Sequence, residues 1–93
     1  MPPASESWTL NYIPEGRGRI LGTLTVDDGT VTFASGDLAQ DIELPRETIA
    51  RAEAAKKRLM KRVVITTTDG RSFTFEYGLL SVSRIVDAIN ALS

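Results

Sequence analysis

Glu47-Thr48-Ile49-Ala50-Arg51-Ala52-Glu53-Ala54-Ala55-Lys56-Lys57-Arg58-Leu59-Met60 is a stretch that can be coiled or extended, and the architecture of the chain turns on which. Glu47 with Arg51 and Glu53 with Lys57 stand at the i,i+4 spacing of helical ion pairs, and alanine is the best helix former. Yet Ile49, Arg51 and Glu53 also alternate with Ala50, Ala52 and Ala54, small residues that fit a sheet face. Local signal leaves helix and strand balanced.

Beyond this stretch, Val63-Val64-Ile65-Thr66-Thr67-Thr68 is a β-branched run leading into Asp69-Gly70. After the glycine, Phe73, Phe75 and Tyr77 share one face, and Thr74 and Glu76 take the other. Asp-Gly supplies positive φ at both central positions of a type I′ turn, so this pair predicts a hairpin tip. Asp28-Gly29 predicts a second one. Before it Ile20, Gly22, Leu24 and Val26 alternate with Leu21, Thr23 and Thr25, and after it come Val31 and Phe33. Beyond the Asp-Gly pairs nothing matches between the two, so no duplication is read. Trp8, Leu10 and Tyr12 give a first strand ending near Pro14, where a ladder donor is missing. Gln40 to Leu44, with Ile42 and Leu44 on one face, reads as a further strand closed by Pro45. At the carboxy end Val82, Ile85, Val86, Ile89 and Leu92 fall at amphipathic-helix spacing, with Ser81 placed to accept from the free amides of the first turn.

With 93 residues, 42% of them hydrophobic and 25% charged, the chain reads as one soluble globular domain, residues 1–93, with residues 1–6 expected to be disordered. It has neither cysteine nor histidine. Disulfides, thiolate and imidazole metal sites, cysteine nucleophiles and Ser-His-Asp arrangements therefore drop out together. The acidic residues Asp27, Asp28, Asp37 and Asp41 lack the alternating oxygen spacing of a calcium loop, so no metal and no cofactor is expected. Gly16-Arg17-Gly18-Arg19-Ile20-Leu21-Gly22 is no dinucleotide loop: its third glycine comes one position late, and strands flank it where a helix should begin. No apolar run approaches a membrane span, and a cytoplasmic address is the expectation. The net charge of −1 hides an asymmetry: residues 1–55 sum to −5, residues 56–62 to +5 and residues 63–93 to −1.

With 47–60 extended, the order becomes seven antiparallel strands followed by one helix. Ile42-Glu43-Leu44-Pro45, then Thr48-Ile49-Ala50, a basic loop, Val64-Ile65-Thr66-Thr67-Thr68-Asp69-Gly70-Arg71-Ser72-Phe73-Thr74-Phe75 and a closing helix resemble the pleckstrin-homology-like superfamily, more narrowly the GRAM and bacterial PH-like domains. The resemblance spans roughly residues 8 to 92. It implies a mainly β fold with a C-terminal helix: a PH-like seven-stranded antiparallel barrel or sandwich capped by one α-helix, with a strand near 48–55 and a loop through the basic cluster. The alternative is an α+β fold with a helix at about 46–60.

No catalytic signature accompanies this pattern, and the chain is read as a non-catalytic binding or adaptor module. Its partner is expected to be a protein, with weak binding to an anionic lipid surface as an addition. The alternative is a structural subunit that homo-oligomerises through an edge strand. The resemblance also implies phosphate contacts around the first hairpin loop, which makes Arg17 and Arg19 candidates, although Glu15 and Asp27 bring the opposite charge there. Lys56, Lys57, Arg58, Lys61 and Arg62 form the densest cationic run, interrupted by Leu59 and Met60. A membrane surface or a partner groove fits that combination. The plain alternative is a solvated strand end with Leu59 turned into the core. Nucleic acid is disfavoured, because Trp8, Phe33, Phe73, Phe75 and Tyr77 read as core and leave no stacking platform beside the basic run. Peripheral association with the inner membrane surface follows only if the lipid reading holds.

Overall fold

The structure, a computed structural model, describes residues 6–14, 18–27, 29–35, 41–78 and 81–91. The 47–60 stretch is extended. Its β-branched partner explains why: Ala52 lies opposite Ile65 and Glu53 opposite Val64, so the alanines face a strand that cannot itself coil cheaply. Seven strands form in chain order, β1 (Glu6–Ile13), β2 (Ile20–Asp27), β3 (Thr30–Ser35), β4 (Ile42–Pro45), β5 (Ile49–Lys57), β6 (Met60–Thr67) and β7 (Ser72–Glu76), followed by helix α1 (Ser83–Asn90). Glu6, expected in a disordered start, is instead the first residue of β1 and lies opposite Val26.

All neighbours are antiparallel, in the order β4-β3-β2-β1-β7-β6-β5. The two edge strands, β4 and β5, are consecutive in sequence and separated only by the single 3-10 turn Arg46–Thr48. So short a link forces the sheet to curl until its edges meet at one corner. There the Thr48 hydroxyl donates to the Pro45 carbonyl (2.7 Å), Arg46 N–H to Gly29 O (2.8 Å) and Thr68 N–H to Thr48 O (2.9 Å). Elsewhere β4 and β5 share no ladder among the described residues, so the wall of strands is curled but not closed into a barrel.

Strand alternation puts Leu10, Leu24, Phe33, Val63, Ile65 and Phe75 on the concave face, where all are buried. Phe33 and Phe75 pack ring to ring at 5.5 Å, with Tyr12 against both; Trp8, Phe73 and Tyr77 lie partly buried around them. Gly22 makes this close approach feasible, since a Cβ there would stand 2.5 Å from Ala34 O and 2.6 Å from the Phe33 ring. Helix α1 covers the open side with Val82, Ile85 and Ile89. Full burial of each isoleucine is worth about 1.5–3 kcal/mol, enough to hold a short helix that would not persist alone. Ser81 sits one residue before the N-cap, which is Val82, but its Oγ still accepts from Ser83 N–H at 3.3 Å. Leu92 lies outside the described residues. No helix among the described residues is long and apolar enough to cross a membrane.

Two turns depart from expectation. Asp69-Gly70 is not a type I′ tip: only Gly70 has positive φ (90°), and its N–H bonds Thr67 O at 3.0 Å, so the turn spans Thr67–Gly70 with the glycine in the left-handed position. The basic cluster is not a loop. Lys57 lies opposite Met60, which leaves Arg58-Leu59 as a two-residue tip, and Arg58 takes φ 57° with no glycine or asparagine to signal it.

Candidate functional site

Because the basic run belongs to a hairpin, the period of two deals its side chains to opposite faces. Lys56 and Lys61 lie opposite each other on the face shared with the core strand positions. Lys57, Met60 and Arg62 fall on the convex face. What reads in sequence as one patch is therefore two.

On the convex face, Arg62 of β6 is opposite Glu76 of β7, and Glu76 is opposite Asn11 of β1. Arg19, just before β2, reaches the same carboxylate: its Nε donates to Glu76 Oε1 at 2.8 Å, while Arg62 Nε and Nη2 donate to Oε2 at 3.1 Å. Glu76 is 1% exposed, beneath two guanidinium groups rather than within the apolar core. The hydrogen bond from Arg19, reinforced by Arg62, holds its carboxyl below the ordinary value against the opposing effect of burial. A shallow cleft of about 280 Å³ opens here, lined by Arg19, Lys57, Arg58, Met60, Arg62 and Glu76. With four cations against one carboxylate it is net positive, but two of its guanidinium groups are already engaged.

On the concave side, a larger cleft of about 540 Å³ lies between β5 and the start of α1, lined by Ala54, Ala55, Lys56, Lys61, Ser81, Val82 and Ser83. One wall of it is backbone without a partner among the described residues. Asn90 of α1 behaves as a one-residue strand toward the outer edge of β5: its Oδ1 accepts from Ala52 N–H and its Nδ2 donates to Ala52 O, both at 2.9 Å. These bonds establish that Ala52 points its backbone groups away from β6. By alternation Ala54 and Lys56 do the same, with no partner for those groups among the described residues, and they open into the cleft. Ser81 and Ser83 hydroxyls, hydrogen-bonded to each other at 2.9 Å, border the opposite side.

The sequence-derived candidates are thus partly reunited. Arg19 joins Lys57, Arg58, Met60 and Arg62 on the convex face; Lys56 and Lys61 belong to the β5–α1 cleft; Arg17 lies outside the described residues. Leu59 does not turn into the core: it is 74% exposed at the hairpin tip. Sequence reasoning missed Glu76 and Asn90. Glu76 stands on the polar face of β7 with Thr74, where an acid is unremarkable, and Asn90 ends an amphipathic helix, so neither position carries a signal in the sequence.

No protein-family model matches the chain, and no curated protein sequence matches it. Among solved structures, the C-terminal domain of an unknown protein from Leishmania infantum superposes with a TM-score of 0.70 at 17% identity, covering 80% of this chain and 69% of that one. Similarity at that identity concerns the fold.

Proposed function

We propose that the chain is a non-catalytic binding module of the pleckstrin-homology-like kind that takes up an extended segment of a partner protein as an added strand on β5. The observation that carries this reading is the Asn90–Ala52 pair, in which a side-chain amide already does what the next strand would do. Past Asn90 the same edge continues through Ala54 and Lys56 beside the cleft of about 540 Å³. Main-chain bonds there supply affinity, and the cleft supplies selectivity.

Ala54→Pro tests it. Proline removes the outward N–H and leaves the β5–β6 ladder intact, since the Ala54 amide takes no part in that ladder. Selection of displayed random twelve-residue peptides on the wild-type chain is expected to yield binders that shift the Ala54 and Lys56 amides in NMR spectra and fail on the proline variant. Binders indifferent to the proline would overturn the reading. If sedimentation equilibrium instead shows a dimer that the proline abolishes, a second copy of the chain occupies the edge and the module is a homo-oligomerising subunit.

A second reading rests on Leu59, 74% exposed at a tip flanked by Lys57, Arg58 and Lys61. An apolar side chain among cations suits an anionic bilayer surface, where each nearby cation adds about 1 kcal/mol. Cosedimentation with vesicles that requires anionic lipid and is lost in Leu59→Asp would support it; equal sedimentation of both proteins would remove it.

A further inference from the structure

On the reading that β5 takes up an added strand, the charges lining the cleft bear on the chemistry of that strand. Lys56 and Lys61 face each other across the β5–β6 hairpin. The Lys61 backbone is turned the other way: its N–H donates to Gly78 O (2.6 Å) and its carbonyl accepts from Tyr77 N–H (2.9 Å). Lys56 and Lys61 are therefore a non-hydrogen-bonded pair, the type in which facing residues stand closest, about 4.5 Å between Cα atoms. Like charges at that spacing repel. Among the described residues neither ammonium group has an ion-pair partner. The convex face of the same hairpin provides the contrast, for there the chain places the Glu76 carboxylate against Arg62 and Arg19. Among the described residues, Glu76 answers two of the four cations on the convex face, whereas the facing pair Lys56 and Lys61 has no carboxylate against it.

We infer that the segment added to β5 is acidic, with an Asp or Glu opposite Lys56 and an aliphatic side chain two residues away over Ala54, beside Val82. In a strand paired to β5, the residue opposite Lys56 that points to the cleft side lies in one row with Lys56 and Lys61, so its carboxylate answers both ammonium groups. The next residue on that side lies over Ala54, whose small side chain leaves room for a branched one.

The test uses the same displayed twelve-residue library on the full chain, the Ala54→Pro variant and a Lys56→Gln/Lys61→Gln variant. Expected are binders with an acid and an aliphatic residue spaced by two. A synthetic copy should shift the Ala54 and Lys56 amides, bind at least about threefold tighter than its Asn or Gln counterpart, and lose the same factor on the double glutamine variant and with added salt. Binders that shift those amides without any preference for acid would overturn this inference and leave strand addition standing. Acidic binders that shift Arg19 and Arg62 instead would overturn it by assigning the attraction to the convex face. Binders insensitive to Ala54→Pro would overturn strand addition itself. Should the double variant fold poorly, Lys56→Gln alone and the salt dependence decide the matter in the same way.

Discussion

At one end of β6 the chain turns through Thr67–Arg71, at the other through Arg58-Leu59, and the two are built to opposite ends. The first is fastened by its own polar groups: the Thr67 hydroxyl bonds the Asp69 carboxylate and accepts from Arg71 N–H (3.0 Å), Arg71 Nε pairs with Asp69 (3.0 Å), and glycine takes the left-handed position. These bonds hold the Asp69 carboxyl below its ordinary value, with the Thr67 hydroxyl the chief cause. The second turn has an arginine in the left-handed position, a leucine in solvent and cations on both sides. Local rules that agree at one end of the strand are broken at the other, and breaches of that kind concentrate where a surface serves something besides stability.

Glu76→Gln is the largest expected effect, because among the described residues Glu76 is the carboxylate that neutralises the basic end. The substitution should cost about 1–3 kcal/mol in urea unfolding at neutral pH, the range for hydrogen bonds to charged groups. A carboxyl whose folded pKa lies below its ordinary value of 4.5 contributes stability that is complete above that pH and is lost as pH falls through the folded value. The gap between wild type and variant should therefore narrow as pH falls below 4.5. A gap unchanged down to acid pH would mean that Glu76 acts through packing and that the basic end is not electrostatically restrained at all.

Next comes Thr67→Val at the fastened end. Thr67 is buried, and its hydroxyl serves the Arg71 backbone as well as Asp69, so the isosteric loss should cost about 1–2 kcal/mol. Unfolding at unchanged urea concentration would show that the polar fastening is ornamental, and the contrast between the two turns would rest on glycine alone.

The strands and the closing helix were readable because period two and period 3.6 leave different stripes of Val, Ile and Phe. The 47–60 stretch is not readable locally, since i,i+4 charge spacing and alternation are both present in it; tertiary pairing decides, for β6 lies beside it as a partner strand. The tip is not legible because Arg58-Leu59 carries none of the residues that make positive φ cheap, so the sequence predicts a loop where the ladder continues to Lys57 and Met60. A loop would keep the basic run whole, whereas in a hairpin alternation alone separates Lys56 and Lys61 from Lys57 and Arg62. Asn90 was invisible for a different reason, as its role depends on where α1 lands against β5, a matter of tertiary packing.

Arg58→Gly sharpens the contrast from the strained side. Removing the left-handed cost of about 1–2 kcal/mol, offset in part by the backbone entropy of glycine, should raise stability by about 0.5 kcal/mol. A loss of stability would mean that the arginine has a native contact that outweighs its strain, and the tip would no longer count as sacrificed.

Lys61→Glu asks the most pointed question. It converts a like-charge cross-strand pair into an opposite-charge one and should stabilise the fold by about 0.2–1 kcal/mol, more than Lys61→Gln does, with the excess fading in high salt. The new carboxylate would stand opposite Lys56, where the acidic segment is proposed to reach, so the variant should gain stability while acidic peptides no longer shift the Ala54 and Lys56 amides. Stability and binding would then move in opposite directions on one residue, as expected when charge repulsion is retained for a ligand. If Lys61→Glu leaves stability unchanged, the two ammonium groups are already well solvated and apart. The concave face would then carry no more stored repulsion than any wet strand end.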